Sequence, residues 1–114
     1  MPDLSRRTAL VTGTAQGIGA AIAAGFAAVF EQVDLLAGPT VAYPAPPEDP
    51  PFGTPEGDVE GRYTGPYNLA GNPAVSLPCG LAEGNLPAGL QLAAALGNDE
   101  LLLSAARAYE EVGA

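Results

Sequence analysis

Proline punctuates one stretch of this chain so densely that it decides where regular structure can form. Between Tyr43 and Pro66 it recurs at Pro44, Pro46, Pro47, Pro50, Pro51, Pro55 and Pro66. Each proline removes a backbone N–H and fixes φ, so neither a strand ladder nor a helix interior persists through such a run. The spacing predicts an extended surface loop over 43–66. Sheet and helix must then come from the two flanking blocks. The whole chain has 114 residues, which is enough for one domain with a modest core. Hydrophobic residues make up 47%, too many for a chain disordered by composition, while 15 glycines and 12 prolines mark it as rich in loops.

In the first block, Thr8–Thr12 is short, apolar and β-branched, and it ends at a glycine turn, as a strand does. From Gly17 to about Gln32 the apolar residues Ile18, Ile22, Phe26 and Phe30 recur at helical spacing. Gly25 weakens this helix and the surrounding alanines favour it. Val33–Ala37 reads as a second strand, stopped by Gly38-Pro39. Strand, helix and strand make a βαβ unit on a parallel sheet. In the second block, Ala74–Leu77 reads as a strand ended by Pro78. Ala88–Ala93 reads as another, preceded by a turn at Glu83-Gly84 and by Asn85-Leu86-Pro87. Gly89 inside that strand marks a close backbone approach. Asn98 or Asp99 caps a last helix running to about Glu111, with Leu102, Ala105, Ala106 and Tyr109 on its apolar face. The fold class is α/β: a βαβ unit with a glycine-rich turn, then a partial mixed sheet and a C-terminal helix.

The three runs Val33–Ala37, Ala74–Leu77 and Ala88–Ala93 are nearly continuous in apolar residues, as strands buried on both faces are. Two helices cannot cover such a sheet. The sequence therefore predicts self-association, a loosely packed monomer or docking on a larger partner, with 43–66 the most protease-sensitive stretch.

Arg6, Arg7, Arg62 and Arg107 face thirteen acids, giving a net charge of −9. That argues against nucleic acid and anionic membrane surfaces, both of which need neutralising cations. Cys79 has no second cysteine to pair with, which fits a reducing, cytoplasmic setting. The apolar stretch after Arg6-Arg7 is broken by Thr12-Gly13-Thr14 and does not read as a signal peptide. No apolar run approaches the length that spans a bilayer. With no cation close in sequence to lower its pKa, Cys79 reads as a small buried hydrophobe. Glu48, Asp49, Glu56, Asp58 and Glu60 lie in the proline-rich loop without the spacing of a calcium loop, so they read as solvated and no metal site is expected.

The turn after the first strand reads Thr12-Gly13-Thr14-Ala15-Gln16-Gly17-Ile18-Gly19. Gly13 suits a tight turn, Gly17 a close approach to a pyrophosphate and Gly19 close helix–strand packing, with a helix N-terminus behind them. With Leu4-Ser5-Arg6-Arg7-Thr8 leading in, residues 5–28 resemble the opening of the short-chain dehydrogenases. That resemblance implies a dinucleotide lined by Gly13, Gly17, Ile18 and Gly19. It breaks off at about Ala28. The place for an acid on the ribose holds Ala37-Gly38-Pro39, and the family's Tyr-x-x-x-Lys is impossible in a chain without lysine. Binding of NAD(P) is expected to be weak, and no resident cofactor is expected.

From about residue 29 onward other motifs follow one another. They are Val33-Asp34-Leu35-Leu36-Ala37-Gly38-Pro39-Thr40, the proline-rich loop, and Tyr63-Thr64-Gly65-Pro66-Tyr67-Asn68-Leu69-Ala70-Gly71-Asn72-Pro73-Ala74-Val75-Ser76-Leu77-Pro78-Cys79-Gly80. Leu86-Pro87-Ala88-Gly89-Leu90-Gln91-Leu92 and Asp99-Glu100-Leu101-Leu102-Leu103 come last. In order and spacing, 29–114 resembles the C-terminal part of the amidase-signature hydrolases. It departs from them at Tyr67 (commonly phenylalanine), Asn85 (a glycine) and Ala88 (a valine). The resemblance implies that these segments are scaffold of a large mixed sheet. It also implies hydrolysis of carbon–nitrogen amide bonds by two serines and a lysine, the nucleophile lying in an upstream segment that is missing here. Of Ser5, Ser76 and Ser104, none has a lysine or histidine to activate it, and Ser76 reads as structural. The expectation is a fusion or truncation product of two segments, 1–28 and 29–114, incomplete relative to either parent fold. No catalytic residue is assigned, and the chain is expected to be silent alone. Two other readings stand beside it: a dehydrogenase-like oxidoreductase remnant, and a non-enzymatic module that complements a larger partner.

Overall fold

The computed structural model describes residues 9–11 and 20–112. Within them, four strands form one mixed sheet: β1 (Ala9–Val11), β2 (Leu35–Pro39), β3 (Ala74–Leu81) and β4 (Pro87–Ala94), in the order β1-β2-β4-β3. β1 and β2 run parallel, with Leu10 opposite Leu36. That pair is joined through helix α1 (Ala20–Phe30), so the expected strand–helix–strand order is present. The other pairings are antiparallel, with Leu36 opposite Ala93 and Val75 opposite Leu92. The mixed α/β class, the partial sheet and the C-terminal helix α4 (Asp99–Glu111) agree with the sequence reading.

Strand alternation divides the core into two faces. Leu35, Ala37, Leu77, Leu92 and Ala94 point to one face, where α4 covers them with Leu102, Ala105 and Ala106. Leu36 and Ala93 point to the other, where they meet Tyr67 and the half-buried Phe26, Val29, Phe30 and Val33. Tyr67 stacks on Phe26 with ring centroids 4.7 Å apart, a favourable aromatic spacing.

Several details correct the sequence reading. The proline-rich stretch is not free of helix. It contains α2 (Pro55–Glu60), and α3 (Gly65–Ala70) begins within its last two residues. In both, proline occupies the first turn, where its missing N–H has no intrahelical partner to lose and its φ is already helical. Thr54 caps α2, its Oγ1 accepting from Gly57 N at 3.2 Å and donating to Pro51 O at 2.7 Å. Gly71 closes α3 at φ 80°, and the N–H groups of Gly71 and Asn72 both donate to Tyr67 O. Pro78 does not end β3, which continues to Leu81 past a register shift. β3 lies at the sheet edge, where proline is tolerated on the unpaired side. For the same reason β3 is largely exposed, not buried on both faces. Four α-helices, not two, occur among the described residues.

Candidate functional site

Past the C-terminal end of β2 the chain leaves the sheet and enters the proline-rich loop. A cleft of about 680 Å³ opens there. The sheet lines it with Gly38, Pro39 and Pro87–Leu90, and the loop lines it with Val41–Pro46. Asp49, Glu60, Cys79 and Ala82 complete it. Its size falls within the usual range for small-molecule pockets, and most of its wall is apolar.

Hydrogen bonds fix the sheet side of the cleft. Thr40 N donates to Gly89 O at 3.0 Å, carrying the β2–β4 pairing one step past the strand. The Thr40 and Ser76 hydroxyls lie 2.6 Å apart. A Cβ added at Gly89 would stand 2.8 Å from Thr40 Oγ1 and 2.9 Å from Ser76 Oγ, so this position needs glycine by close approach, as its place inside a strand suggests. Buried Gln91 donates through Nε2 to Tyr63 O at 2.9 Å, tying the α2–α3 connection to the sheet. On the loop side, the Tyr43 hydroxyl donates to Glu56 O across a long 3.5 Å. Partial desolvation, then the negative charges of Glu60 and Asp49, push the Tyr43 pKa above its ordinary value.

This arrangement sorts the residues singled out from the sequence. Gly13, Gly17, Ile18 and Gly19 lie outside the described residues, and so does Ser5. Ser76 is engaged with Thr40, in keeping with a structural role. Cys79 is exposed and lines the cleft, which corrects its reading as a buried hydrophobe. The strand carries it beyond Pro78 along the edge of the sheet. Of the five loop acids, the fold brings Asp49 and Glu60 to the cleft. Among the described residues no group of three or more potential ligands could hold a metal. The sequence reading anticipates neither Tyr43 nor the cleft itself. Their signal is faint: one aromatic residue at the entrance to a proline run, with two acids placed farther along it. No described helix is long and apolar enough to cross a membrane.

The scaffold around this cleft has counterparts. A family model described as Amidase matches residues 4–103. The chain belongs to the Amidase family. The match takes in residues 4–28, so the dehydrogenase resemblance of that stretch gains no support from it. A glutamyl-tRNA(Gln) amidotransferase subunit from Thermus thermophilus is 45% identical over 102 residues, covering 90% of this chain and 21% of that protein. Among solved structures, a bacterial aryl acylamidase of the amidase-signature enzymes aligns with TM-score 0.64 and 23% identity over 82% of this chain and 21% of that one, a likeness of fold. The glutamyl-tRNA(Gln) amidotransferase subunit of the same type from Thermotoga maritima superposes with TM-score 0.55 and 30% identity over 70% of this chain and 18% of that one. The chain thus spans about a fifth of the length of the relatives it matches.

Proposed function

We propose that this chain is a slice of the C-terminal part of an amidase-signature hydrolase, retaining scaffold and not catalytic machinery. The observation that carries this reading is the family match across residues 4–103 in a chain with no lysine or histidine. Serine is a weak nucleophile without a base, and Ser76 is held in a hydroxyl pair at the sheet edge. The purified 114-residue chain is expected to leave aryl and alkyl amides intact. Turnover above background that disappears in Ser76→Ala would overturn the proposal.

A second reading, that the chain completes a larger amidase-like partner, is favoured by α1. Its sequence, AAIAAGFAAVF, is apolar on every side, yet Ala21, Ala23, Ala24, Ala27 and Ala28 stand exposed. A helix apolar all round belongs in an interior. The two amidotransferase relatives are themselves subunits by name. Mixing the chain with a family member truncated of its last fifth should yield a co-eluting complex in gel filtration. Separate elution at micromolar concentration, with the chain folded, would remove this reading.

Dinucleotide binding through Gly13, Gly17, Ile18 and Gly19 is at most weak on this view. A phosphate at a helix N-terminus gains up to ~2 kcal/mol, against the ~8 kcal/mol that micromolar affinity requires. Micromolar NAD(P) binding by calorimetry, abolished in Gly17→Val, would restore the dehydrogenase-like alternative.

A further inference from the structure

We propose that Phe52, in the turn that precedes α2, anchors a protein partner offering an apolar pocket rimmed by lysine or arginine. The proline-rich loop carries this surface, not α1 or the cleft, and no amidase-like partner is required.

Phe52 stands wholly in solvent, at 105% of its reference exposure, whereas the other exposed large hydrophobics of the described structure lie between 38% and 73%. The ring belongs to neither core cluster, so the fold does not account for it. Single apolar side chains at a surface are ordinary. What sets Phe52 apart is the backbone beneath it. Thr54 N donates to Pro51 O at 3.2 Å, closing a turn with Phe52 and Gly53 at its centre. Gly53 has φ 82°, the left-handed value that a type II turn needs at its third residue. Thr54 Oγ1 donates to the same carbonyl and accepts from Gly57 N, joining the turn to α2. α2 sits so close that a Cβ added at Gly57 would stand 2.5 Å from Pro51 O. Pro50 and Pro51 fix φ on the approach. A turn this restrained presents a bare aromatic ring whose backbone has little freedom left to lose on binding.

The charges around the ring select the partner. Glu48 and Asp49 precede Phe52 and Glu56 and Asp58 follow it, all four exposed. No lysine or arginine lies between Arg7 and Arg62. Among the described residues none of these four acids is in an ion pair. An aromatic anchor inside an acidic rim complements an apolar pocket inside a basic rim. The ring supplies the buried centre of the contact, and the carboxylates steer the approach. A second copy of this chain brings the same net charge of −9 and is repelled. Anionic vesicles and nucleic acids are repelled likewise.

The test selects a random peptide library, displayed on phage, on the immobilised full chain. Enriched peptides are synthesised and titrated by fluorescence anisotropy. They are expected to combine lysine or arginine with large apolar residues. Phe52→Ala should weaken them about tenfold or more while leaving the urea midpoint unchanged, because the ring packs in no core cluster. Glu56→Gln with Asp58→Asn should weaken them about threefold, a difference that fades at high salt. Gly57→Ala keeps Phe52 but displaces the turn beneath it, and should weaken binding about fivefold. General stickiness of an exposed ring would not respond to that change. Enriched peptides without basic residues, no enrichment at all, binding undiminished in Phe52→Ala, or indifference to Gly57→Ala would overturn the proposal. So would a dimer in sedimentation, or binding to phosphatidylserine vesicles, that Phe52→Ala abolishes, since the ring would then serve a second copy or a membrane.

Discussion

The two faces of the sheet are built on different principles. The face under α4 is uniform: Leu35, Ala37, Leu77, Leu92 and Ala94 meet Leu102, Ala105 and Ala106, and every buried member is aliphatic. The opposite face changes character along its length. At the end bearing Leu36 and Ala93 it is closed by the Tyr67–Phe26 stack. By register it continues through Gln91 and Ser76, ending where Thr40 and Ser76 crowd Gly89 beside the cleft. There it is held by hydrogen bonds, not by apolar burial. The uniform face spreads its burial over many small contacts. The mixed face gathers its apolar part around the Tyr67–Phe26 stack and gives the rest to the polar groups that shape the cleft.

That contrast fixes an order of mutational effects, to be read from urea denaturation midpoints. Tyr67→Ala should cost the most, about 3–5 kcal/mol, because a large buried aromatic is lost where few neighbours can settle into the space. Leu102→Ala should cost less, about 2–3 kcal/mol, since the contacts of α4 are shared among several residues and the small side chains of Ala105 and Ala106 leave it room to settle. The reverse order would break the comparison.

Gly89→Ala tests the polar end of the mixed face. The new methyl group meets two hydroxyl oxygens closer than any relaxed contact allows, so a loss of about 1–2 kcal/mol is expected. Removing one hydroxyl should return part of that loss. The pair Gly89→Ala and Ser76→Ala should therefore be non-additive in a double-mutant cycle. Strict additivity would mean that the hydroxyl pair does not set the glycine requirement.

Tyr67 also makes the mixed face sensitive to alkali. Burial raises its pKa above 10.0 in the folded chain, because a buried phenolate is poorly solvated. Unfolded chains lose this proton first as pH rises, so above 10.0 the unfolded state binds fewer protons than the native one and stability falls. Its contribution is fully present below that pH and declines through the folded-state value. Tyr67→Phe should flatten this part of the pH profile.

The two faces are unequally legible in the sequence. α4 announces itself through an amphipathic pattern and a clear apolar stripe, and Asn98 takes the N-cap position expected for it but makes no side-chain capping bond. β2 and β4 announce themselves as apolar runs, and Gly89 as a glycine with no turn to explain it. The mixed face depends on α3, which is hidden because Pro66 reads as a breaker when it sits in the first turn of a helix. α2 is hidden for the same reason by Pro55. Local propensity carries both signs for proline, and only the capping context separates them. Asn85 shows the opposite case. It stands where the family resemblance has glycine, and it adopts φ 60°, a left-handed conformation that asparagine tolerates better than most residues. The cleft is illegible because Tyr43, Asp49 and Glu60 are brought together by the path of an irregular loop, which has no periodicity to read.

The smallest effect expected is at the outer side of α4, and it bears on how far the uniform face extends. Arg107 Nε lies 3.3 Å from Glu111 Oε1, an exposed pair four residues apart. Such pairs are worth a few tenths of a kcal/mol, and the order of charges here, base before acid, is the less favourable one. Glu110 and Glu111 moreover sit in the last turn, where the carbonyl end of the helix already carries partial negative charge. Glu111→Gln therefore removes a weak attraction and a weak repulsion together, and the net change should stay within about 0.5 kcal/mol of zero. Arg107→Ala removes the attraction alone and leaves the acids unopposed, so it should be the more damaging of the two. If instead Glu111→Gln cost as much as Leu102→Ala, the stabilisation from α4 would not reside on its buried stripe, and the distinction between a face held by packing and a face held by polar contacts would fail.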